Sequence, residues 1–278
     1  MILSRRLLLT AATAWALTGA AKPPPMLTVM TFNVRLPLAS DGPNDWPHRQ
    51  ALLAETVAAA TPDLFGTQEL FQTQGDDIIR ALPRYRWFGR DRRGGHDDEH
   101  MGIFYRPDRL TLVAQGDFWL SDTPDVAGSI TWGHPLPRMV TWGRFQTRDG
   151  RRFVALNTHF PYRAEDEAAR EKAARLIVAR LPAIAANDPV VLTGDFNTTP
   201  DTPTHAALTA ALQDAWQSTP APKGPALTFH NFTGKPDRRI DWILIRGFHP
   251  LSVETVTRHA GALYPSDHFP VVARIAFL

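Results

Sequence analysis

Polar residues stand at one end of four segments that otherwise have the composition of buried β-strands. They are Asn33, Glu69, the pair Asp195 and Asn197, and the pair Asp267 and His268. Carboxylate and amide oxygens that converge in space make a site for a hard cation such as Mg²⁺, which takes few carboxylates and keeps several waters. A histidine beside such a cation can deprotonate a water for in-line attack on phosphorus, while the cation offsets the charge on the phosphoryl oxygens. Taken singly, Asn and Asp after a strand are common turn formers, so the interpretation depends on their convergence.

The segments that must position these residues alternate or are apolar throughout. Leu27–Val34 alternates and is rich in β-formers, which predicts a strand that ends near Asn33. Asp63–Glu69 predicts a short buried strand, and Val190–Gly194 predicts an apolar strand directly before Asp195. Further strands are predicted at 102–105, 110–113, 139–145, 153–157, 240–245 and 270–277.

The clearest helix is predicted at 164–181, where alanines and aliphatic residues form one apolar stripe. Asp166 with Arg170 and Glu171 with Arg175 have the spacing of ion pairs on its exposed side. Helices alternate with strands early in the chain, and the middle and end are rich in strands. This order predicts the α/β (α+β) class: a four-layer α/β/β/α sandwich of two packed mixed sheets flanked by helices.

Composition limits the kinds of site that are available. The 278 residues are 44% apolar, enough for one large domain, and cysteine is absent. Disulfides and thiolate metal sites are therefore excluded, and a metal must be held by oxygen or imidazole ligands.

Residues 1–21 are predicted to be a signal peptide of the twin-arginine type. Arg5 and Arg6 precede an apolar run at 7–17, and the small residues 19–21 follow it. An anchoring helix is the alternative, but the run is shorter than the roughly 20 residues that span a bilayer. We therefore expect a periplasmic or secreted protein whose mature domain is 22–278, without an integral membrane segment.

Charge gives no indication of polyanion binding in the mature chain. The whole chain has 30 basic and 28 acidic residues, and loss of Arg5 and Arg6 leaves 28 of each. One basic cluster remains, which we predict to lie on a mobile solvated loop, with a phosphate-binding track as the alternative. Its members are Arg84, Arg86, Arg90, Arg92 and Arg93.

Six short motifs occur in a fixed order along the chain. They are Thr31-Phe32-Asn33-Val34-Arg35, Gln68-Glu69, Asn157-Thr158-His159, Gly194-Asp195-Phe196-Asn197, Arg239-Ile240-Asp241-Trp242-Ile243 and Ser266-Asp267-His268-Phe269-Pro270. Together they resemble the successive motifs of the endonuclease/exonuclease/phosphatase superfamily. That superfamily includes pancreatic-type DNases, abasic-site endonucleases, bacterial sphingomyelinases and nocturnin-like deadenylases, and the resemblance spans residues 27–278.

The resemblance assigns the metal-binding residues. Glu69 is similar to the principal Mg²⁺ ligand of the family, with Asn33 and Asp267 near the same ion, and Mn²⁺ is an alternative cofactor. Asp195 and Asn197 resemble the pair that orients the attacking water and holds the phosphate.

The resemblance also assigns two histidines. His268 is similar to the general base, and Asp241 to the carboxylate that orients it. His159 resembles a second histidine that donates to the phosphate or assists the leaving group.

Glu99 and Arg138 are assigned by spacing as well as by resemblance. Glu99, six residues before Tyr105, is similar to the acid that orients the second histidine, with a solvated loop acid as the alternative. Arg138 resembles an arginine that contacts phosphate, with an exposed strand-end charge as the alternative. Gly133-His134-Pro135 departs from the acidic and small residues expected before Arg138, which leaves the shape of the substrate pocket open.

These assignments imply a Mg²⁺-dependent phosphodiesterase or phosphatase with His268 as general base. Its phosphoester substrate could be a small molecule, a lipid or a nucleic acid, and we expect a monomer. A non-specific nuclease is one alternative, and a binding protein without catalysis is another. Motifs alone do not choose the substrate, monoester or diester, or the number of metal ions.

Overall fold

The computed structural model describes residues 26–278. The predicted signal peptide and its boundary with the mature domain lie outside these residues, so both stay predictions. The strands, in chain order, are β1 (Met26–Asn33), β2 (Leu64–Gln68), β3 (Arg86–Phe88), β4 (Ile103–Tyr105), β5 (Leu110–Trp119), β6 (Met139–Thr147), β7 (Arg152–His159), β8 (Val190–Asp195), β9 (Gln213–Asp214), β10 (Asp241–Arg246), β11 (Phe248–Thr255) and β12 (Val271–Phe277). The helices are α1 (Trp46–Ala60), α2 (Gln72–Ala81), α3 (Glu167–Ala185), α4 (Pro203–Thr209) and α5 (Ala215–Ser218).

The strands form two six-stranded mixed sheets, and the predicted four-layer sandwich is confirmed. The first sheet has the order β11-β12-β1-β2-β4-β3, and the second has the order β5-β6-β7-β8-β10-β9. Within each sheet one central pair is parallel, β1 with β2 and β7 with β8. Parallel neighbours end at the same edge of a sheet, so both sheets bring their strand-end polar residues to one end of the sandwich.

The apolar residues divide into three layers because both faces of each sheet are covered. Alternate residues of β1 face opposite sides: Val29 packs between the sheets, whereas Met30 and Phe32 pack beneath α1 and α2. On the other side, Ile177 of α3 and Leu208 of α4 pack on the outer face of the second sheet. No helix in residues 26–278 is long and apolar enough to cross a membrane.

The long helix differs from its prediction at both ends. Residues 164–166 form a 3₁₀ turn, and α3 then continues through Pro182 to Ala185, whose side chain is buried. Glu171 and Arg175 form the predicted ion pair, at 2.6 Å. The prediction that Asp166 and Arg170 form an ion pair on the exposed side of the helix is wrong.

Both residues of that second pair are buried and have other partners. Asp166 accepts from Arg163, and Nε of Arg170 donates to Oε2 of Glu167 at 2.9 Å. The guanidinium of Arg170 also donates to the carbonyl oxygen of Pro161 at 2.8 Å. This bond fixes the start of α3 to the chain that leaves β7.

Two buried polar groups stabilise the sandwich. Between the sheets, Nε2 of Gln68 donates to Oδ1 of Asn157 at 2.7 Å, and Nδ2 of Asn157 donates to the carbonyl oxygen of Thr67. At the edge of the second sheet, the buried carboxylate of Asp214 contacts His205 at 2.9 Å and accepts from Arg239 at 2.8 Å. Both groups pair most of their buried polar atoms, although Oε1 of Gln68 has no hydrogen-bond partner among the described residues.

Candidate active site

Strand register places three of the predicted residues in one row across the second sheet. His159, at the end of β7, pairs with Asp195 at the end of β8, and Asp195 pairs with Asp241 at the start of β10. In the first sheet, Asn33 at the end of β1 pairs with Gln68, and Glu69 follows directly. The motifs at these strand ends therefore meet at one end of the sandwich.

His268 lies between three carboxylates. Its Nδ1 is 2.9 Å from Oδ2 of Asp241, and its Nε2 is 3.8 Å from Oδ2 of Asp195 and 4.0 Å from Oδ1 of Asp267. Burial alone would lower the pKa of His268, but Asp241 and then the other two acids raise the pKa to about 10. The ring of Phe229 packs edge-on against the imidazole, with ring centroids 4.9 Å apart, and fixes its plane.

Asp195 is the central buried acid of the site. Its carboxylate accepts from Nδ2 of Asn33 at 2.9 Å and from the backbone N–H of Asn197 at 3.0 Å. Burial, followed by the charge of Asp241, raises the pKa of Asp195 to about 7, against the opposing effect of His268. The side chain of Asn197 donates to the carbonyl oxygen of Phe160 at 3.1 Å, which holds its carboxamide at the edge of the site.

Glu69 lies at the edge of the site, in a backbone conformation that ordinary residues avoid. Its φ is 60°, and that of Asn197 is 50°. Such left-handed residues cost roughly 1–3 kcal/mol each and cluster at functional sites. The two carboxylate oxygens of Glu69 accept from Nδ2 of Asn33 and from the backbone N–H of Leu36, both at 3.1 Å. A carboxylate has about four acceptor positions, so both oxygens keep capacity for a cation.

The predicted metal ligands are close together, but their contacts differ in kind. Ligand atoms of Glu69, His159 and Asp195 all lie within 4.8 Å of one another. Asn33 directs its amide nitrogen at two of these acids, because a donor between two carboxylates offsets their repulsion. Asp267 is buried and lies 3.7 Å from a guanidinium nitrogen of Arg35.

Arg49 of α1 fixes the two chain segments that carry Asn33 and Asp267. Its buried guanidinium donates to the carbonyl oxygens of Val34, at 2.5 Å, and Pro265, at 3.0 Å. Burial lowers the pKa of Arg49 to about 10, despite the nearby acids. These bonds join the end of β1 to the loop before β12, and no motif in the sequence indicates a role for Arg49.

His159, Glu99 and Arg138 form a second polar group on the same pocket. Nδ1 of His159 is 3.8 Å and Nη1 of Arg138 is 3.9 Å from Oε2 of Glu99. All three side chains are buried, which excludes the alternatives of a solvated loop acid and an exposed strand-end arginine. Burial, the charge of Arg138 and that of His268 hold the pKa of His159 well below its usual range, so its ring is neutral.

These groups line one cavity of about 550 Å³. Its floor carries the acids and histidines, and its rim carries apolar or aromatic side chains. The rim residues are Leu36, Leu38, Leu136, Tyr162 and Phe229. Arg35, Asn231 and Arg238 also face the cavity. Among the rim residues and these three further residues, the sequence indicated only Arg35, which lies inside a motif. The others lie on loops that carry no local sequence signal.

The predicted basic cluster is not a single solvated loop. Arg86 belongs to β3, and Arg92 is buried with its guanidinium between Asp98 and Glu99. The acids that neutralise Arg92 follow it by six and seven residues, and closure of the loop brings them together. The prediction of a solvated cluster is therefore wrong for Arg92.

The two-sheet sandwich and its buried acid–histidine site define the class of protein. A family model described as the endonuclease/exonuclease/phosphatase family matches residues 30–268. The chain belongs to this family.

Solved structures of similar proteins cover nearly all of the chain. An endonuclease/exonuclease/phosphatase family protein from Bacteroides thetaiotaomicron is 34% identical, with a TM-score of 0.86 over 92% of this chain and 100% of that one. A mannosyl-6-phosphatase of the same organism is also 34% identical, with a TM-score of 0.84 over 90% of this chain and 100% of that one.

A curated relative matches only in part. An uncharacterized protein of Acanthamoeba polyphaga mimivirus is 27% identical over 167 residues, which cover 55% of this chain. The match spans 59% of that protein, or about three-fifths of its length.

Proposed function

We propose that the protein is a divalent-metal-dependent phosphoester hydrolase whose substrates are phosphomonoesters of sugars. One observation carries this proposal: a carboxylate donor group around Glu69 and Asp195 shares one pocket floor with the buried pair His268–Asp241. A histidine base can activate a water beside a cation that offsets charge on the phosphoryl oxygens, so this arrangement is suited to hydrolysis of a phosphoester.

The side chains present fit a hard divalent cation. Oxygen ligands suit Mg²⁺ or Mn²⁺, and the chain has no thiolate to favour a softer metal. Glu69 would hold the ion, with Asn33 and Asp267 beside it. Bound there, the ion would supply compensation for negative charge on the phosphoryl oxygens.

His268 acts as the general base in this proposal. Its Nδ1 donates to Asp241, so Nε2, the nitrogen nearer Asp195, accepts the proton of the attacking water. Asp241 stabilises the resulting imidazolium and fixes the ring. Asp195 and Asn197 orient the water and the phosphate, since both line the cavity beside Nε2.

The second polar group binds the phosphate. Arg138 places a buried positive charge at the cavity, and neutral His159 can donate to a phosphoryl oxygen or to the leaving group. Glu99 faces both side chains and orients them.

Two observations favour a sugar phosphate over a polymer. The mannosyl-6-phosphatase is aligned over its whole length with 34% identity. The cavity of about 550 Å³, with polar floor and apolar rim, suits a phosphate on a compact ring that has hydroxyl edges and an apolar face. The predicted mature chain is formally neutral, so no excess of positive charge favours a nucleic acid.

The experiment is a substrate panel with the purified chain and Mg²⁺. It compares phosphate release from mannose 6-phosphate and glucose 6-phosphate with hydrolysis of bis-(4-nitrophenyl) phosphate and nicking of supercoiled plasmid. We expect turnover of sugar monoesters by the parent and its loss in His268→Ala. Plasmid nicking without phosphate release would instead establish a nuclease. A folded parent that hydrolyses nothing would favour the binding-protein alternative.

A further inference from the structure

Arg92 has contacts that neither the family resemblance nor the proposed chemistry uses. It lies in the loop 91–99 and is 8% exposed. Its Nη1 is 2.8 Å from Oε1 of Glu99, and its Nη2 is 2.9 Å from Oδ1 of Asp98. Arg92 does not line the catalytic cavity within the described residues, whereas Glu99 does.

The two oxygens of Glu99 are divided between Arg92 and the site. Oε1 contacts Arg92, and Oε2 faces Nδ1 of His159 at 3.8 Å and Nη1 of Arg138 at 3.9 Å. The contact between Nη1 of Arg92 and Oε1 is an ion pair without hydrogen-bond geometry, and because a carboxylate is planar and rigid, attraction of one oxygen limits where the other oxygen points. Glu99 is buried, so its negative charge needs such a partner on the side away from the cavity.

The backbone of the loop does not depend on the side chain of Arg92. The carboxylate of Asp91 accepts from the backbone N–H groups of Arg93, Gly95, Asp97 and Asp98. The backbone N–H of Arg92 donates to the carbonyl oxygen of Glu99 at 2.8 Å. Trp119 donates to the carbonyl oxygen of Arg92 at 2.6 Å. Removal of the guanidinium should therefore leave the loop in place.

We propose that Arg92 is a positioning residue, which acts through Glu99 to orient His159 and Arg138 toward the substrate phosphate. This role rests on the proposed function for its effect on turnover. Its structural part, the orientation of Glu99 and of the His159 ring, does not require turnover.

The first test compares Arg92→Met with Arg93→Met. Arg93 is an exposed neighbour that contacts Asp98 at 2.7 Å, and no ion pair joins it to Glu99 in residues 26–278. Loss of a residue that orients an active-site group typically reduces activity about 10- to 100-fold. We expect Arg92→Met to lower kcat in that range with little change in KM, Arg93→Met to match the parent, and Arg92→Lys to fall between parent and Arg92→Met.

A double-mutant cycle separates positioning from general damage. If Arg92 acts through Glu99, then Arg92→Met should have little further effect on kcat in a Glu99→Gln background. If the losses of kcat in Arg92→Met and Glu99→Gln multiply in the double variant, the proposal is overturned. Equal kcat values for Arg92→Met and Arg93→Met would also overturn it.

The second test needs no activity, so it separates this proposal from failure of the proposed function. Nitrogen-15 shifts of the His159 ring report which ring nitrogen carries the proton. In the parent and in Arg93→Met we expect the same ring tautomer, and in Arg92→Met we expect the ring signals to move. Identical ring shifts in all three folded proteins would refute the role of Arg92, whatever the substrate panel gives.

Discussion

The substitution Asp241→Asn tests the assignment of His268 as a base oriented by a buried acid. The carboxylate of Asp241 is 2% exposed, and its Oδ2 lies 2.9 Å from Nδ1 of His268. The charge centres are then about 4 Å apart, and at an effective dielectric of about 20 their attraction is about 4 kcal/mol. Asparagine keeps the shape but loses this attraction for the imidazolium, which forms as the water is deprotonated.

A loss of about 4 kcal/mol corresponds to a rate reduced about 10³-fold. This falls within the range of about 10²–10⁴-fold that a positioned base contributes. Since Asp241 does not line the cavity within the described residues, we expect the plateau kcat, reached at pH values where His268 is deprotonated in each protein, to fall by this factor while KM stays nearly constant. The assay is phosphate release under steady-state conditions with Mg²⁺, with the exposed acid variant Asp201→Asn as control.

The pH dependence gives a second readout of the same variant. Burial lowers the pKa of His268, but Asp241 and two further acids raise the pKa to about 10 in the parent. Without Asp241 the pKa must fall, and a base is active when deprotonated. The rise of activity with pH should therefore begin at lower pH in Asp241→Asn than in the parent. A plateau kcat within about threefold of the parent value, or a rise moved to higher pH, would refute the reasoning.

Three further substitutions test the packing that holds the site. Burial would raise the pKa of Asp214, but its buried partners His205 and Arg239 hold that pKa below the usual range. The contribution of Asp214 to stability is therefore present above about pH 4 and is lost as the pH falls through the lowered pKa. Asp214→Asn should thus lower the free energy of unfolding by about 3 kcal/mol at pH 7. In urea titrations the difference in unfolding free energy between parent and variant should narrow at acidic pH, and a difference that does not change with pH would contradict the prediction. Arg49→Met leaves buried carbonyl groups without donors and should lower the urea-derived free energy by about 3 kcal/mol; a change below about 1 kcal/mol would show that the bonds of Arg49 are dispensable. In Gly66→Ala the added Cβ would clash with Oγ1 of Thr193, so thermal unfolding should show a free energy of unfolding lower by about 3 kcal/mol. A stability equal to that of the parent would mean that the sheets can separate locally.

The catalytic strand ends could be predicted because their signal is local. An apolar strand that ends in Asp195 or Glu69 shows both the strand and the polar residue in one short window of sequence. The row of His159, Asp195 and Asp241 follows from strand order and register, which the ordered motifs specify through the family resemblance.

The loops could not be predicted from local pattern, because long-range contacts determine them. Arg92 is buried only because Asp98 and Glu99 return to it, and its neighbours in sequence suggest a solvated loop. The helix α2 was not predicted, since Gly75 and many polar residues conceal its single apolar face. Phe229 and Arg238 reach the cavity on the loop between α5 and β10, which contains no periodic segment.

In the proposed function, a cation held by Glu69 is needed for hydrolysis of a phosphoester. The most direct measurement is calorimetric titration of Mg²⁺ into the parent and Glu69→Gln, with phosphate release followed in the same samples before and after EDTA. We predict activity that EDTA abolishes and Mg²⁺ or Mn²⁺ restores, and Mg²⁺ affinity at least about tenfold weaker in Glu69→Gln. Turnover that persists in EDTA, or equal Mg²⁺ affinity in the two proteins, would contradict the account.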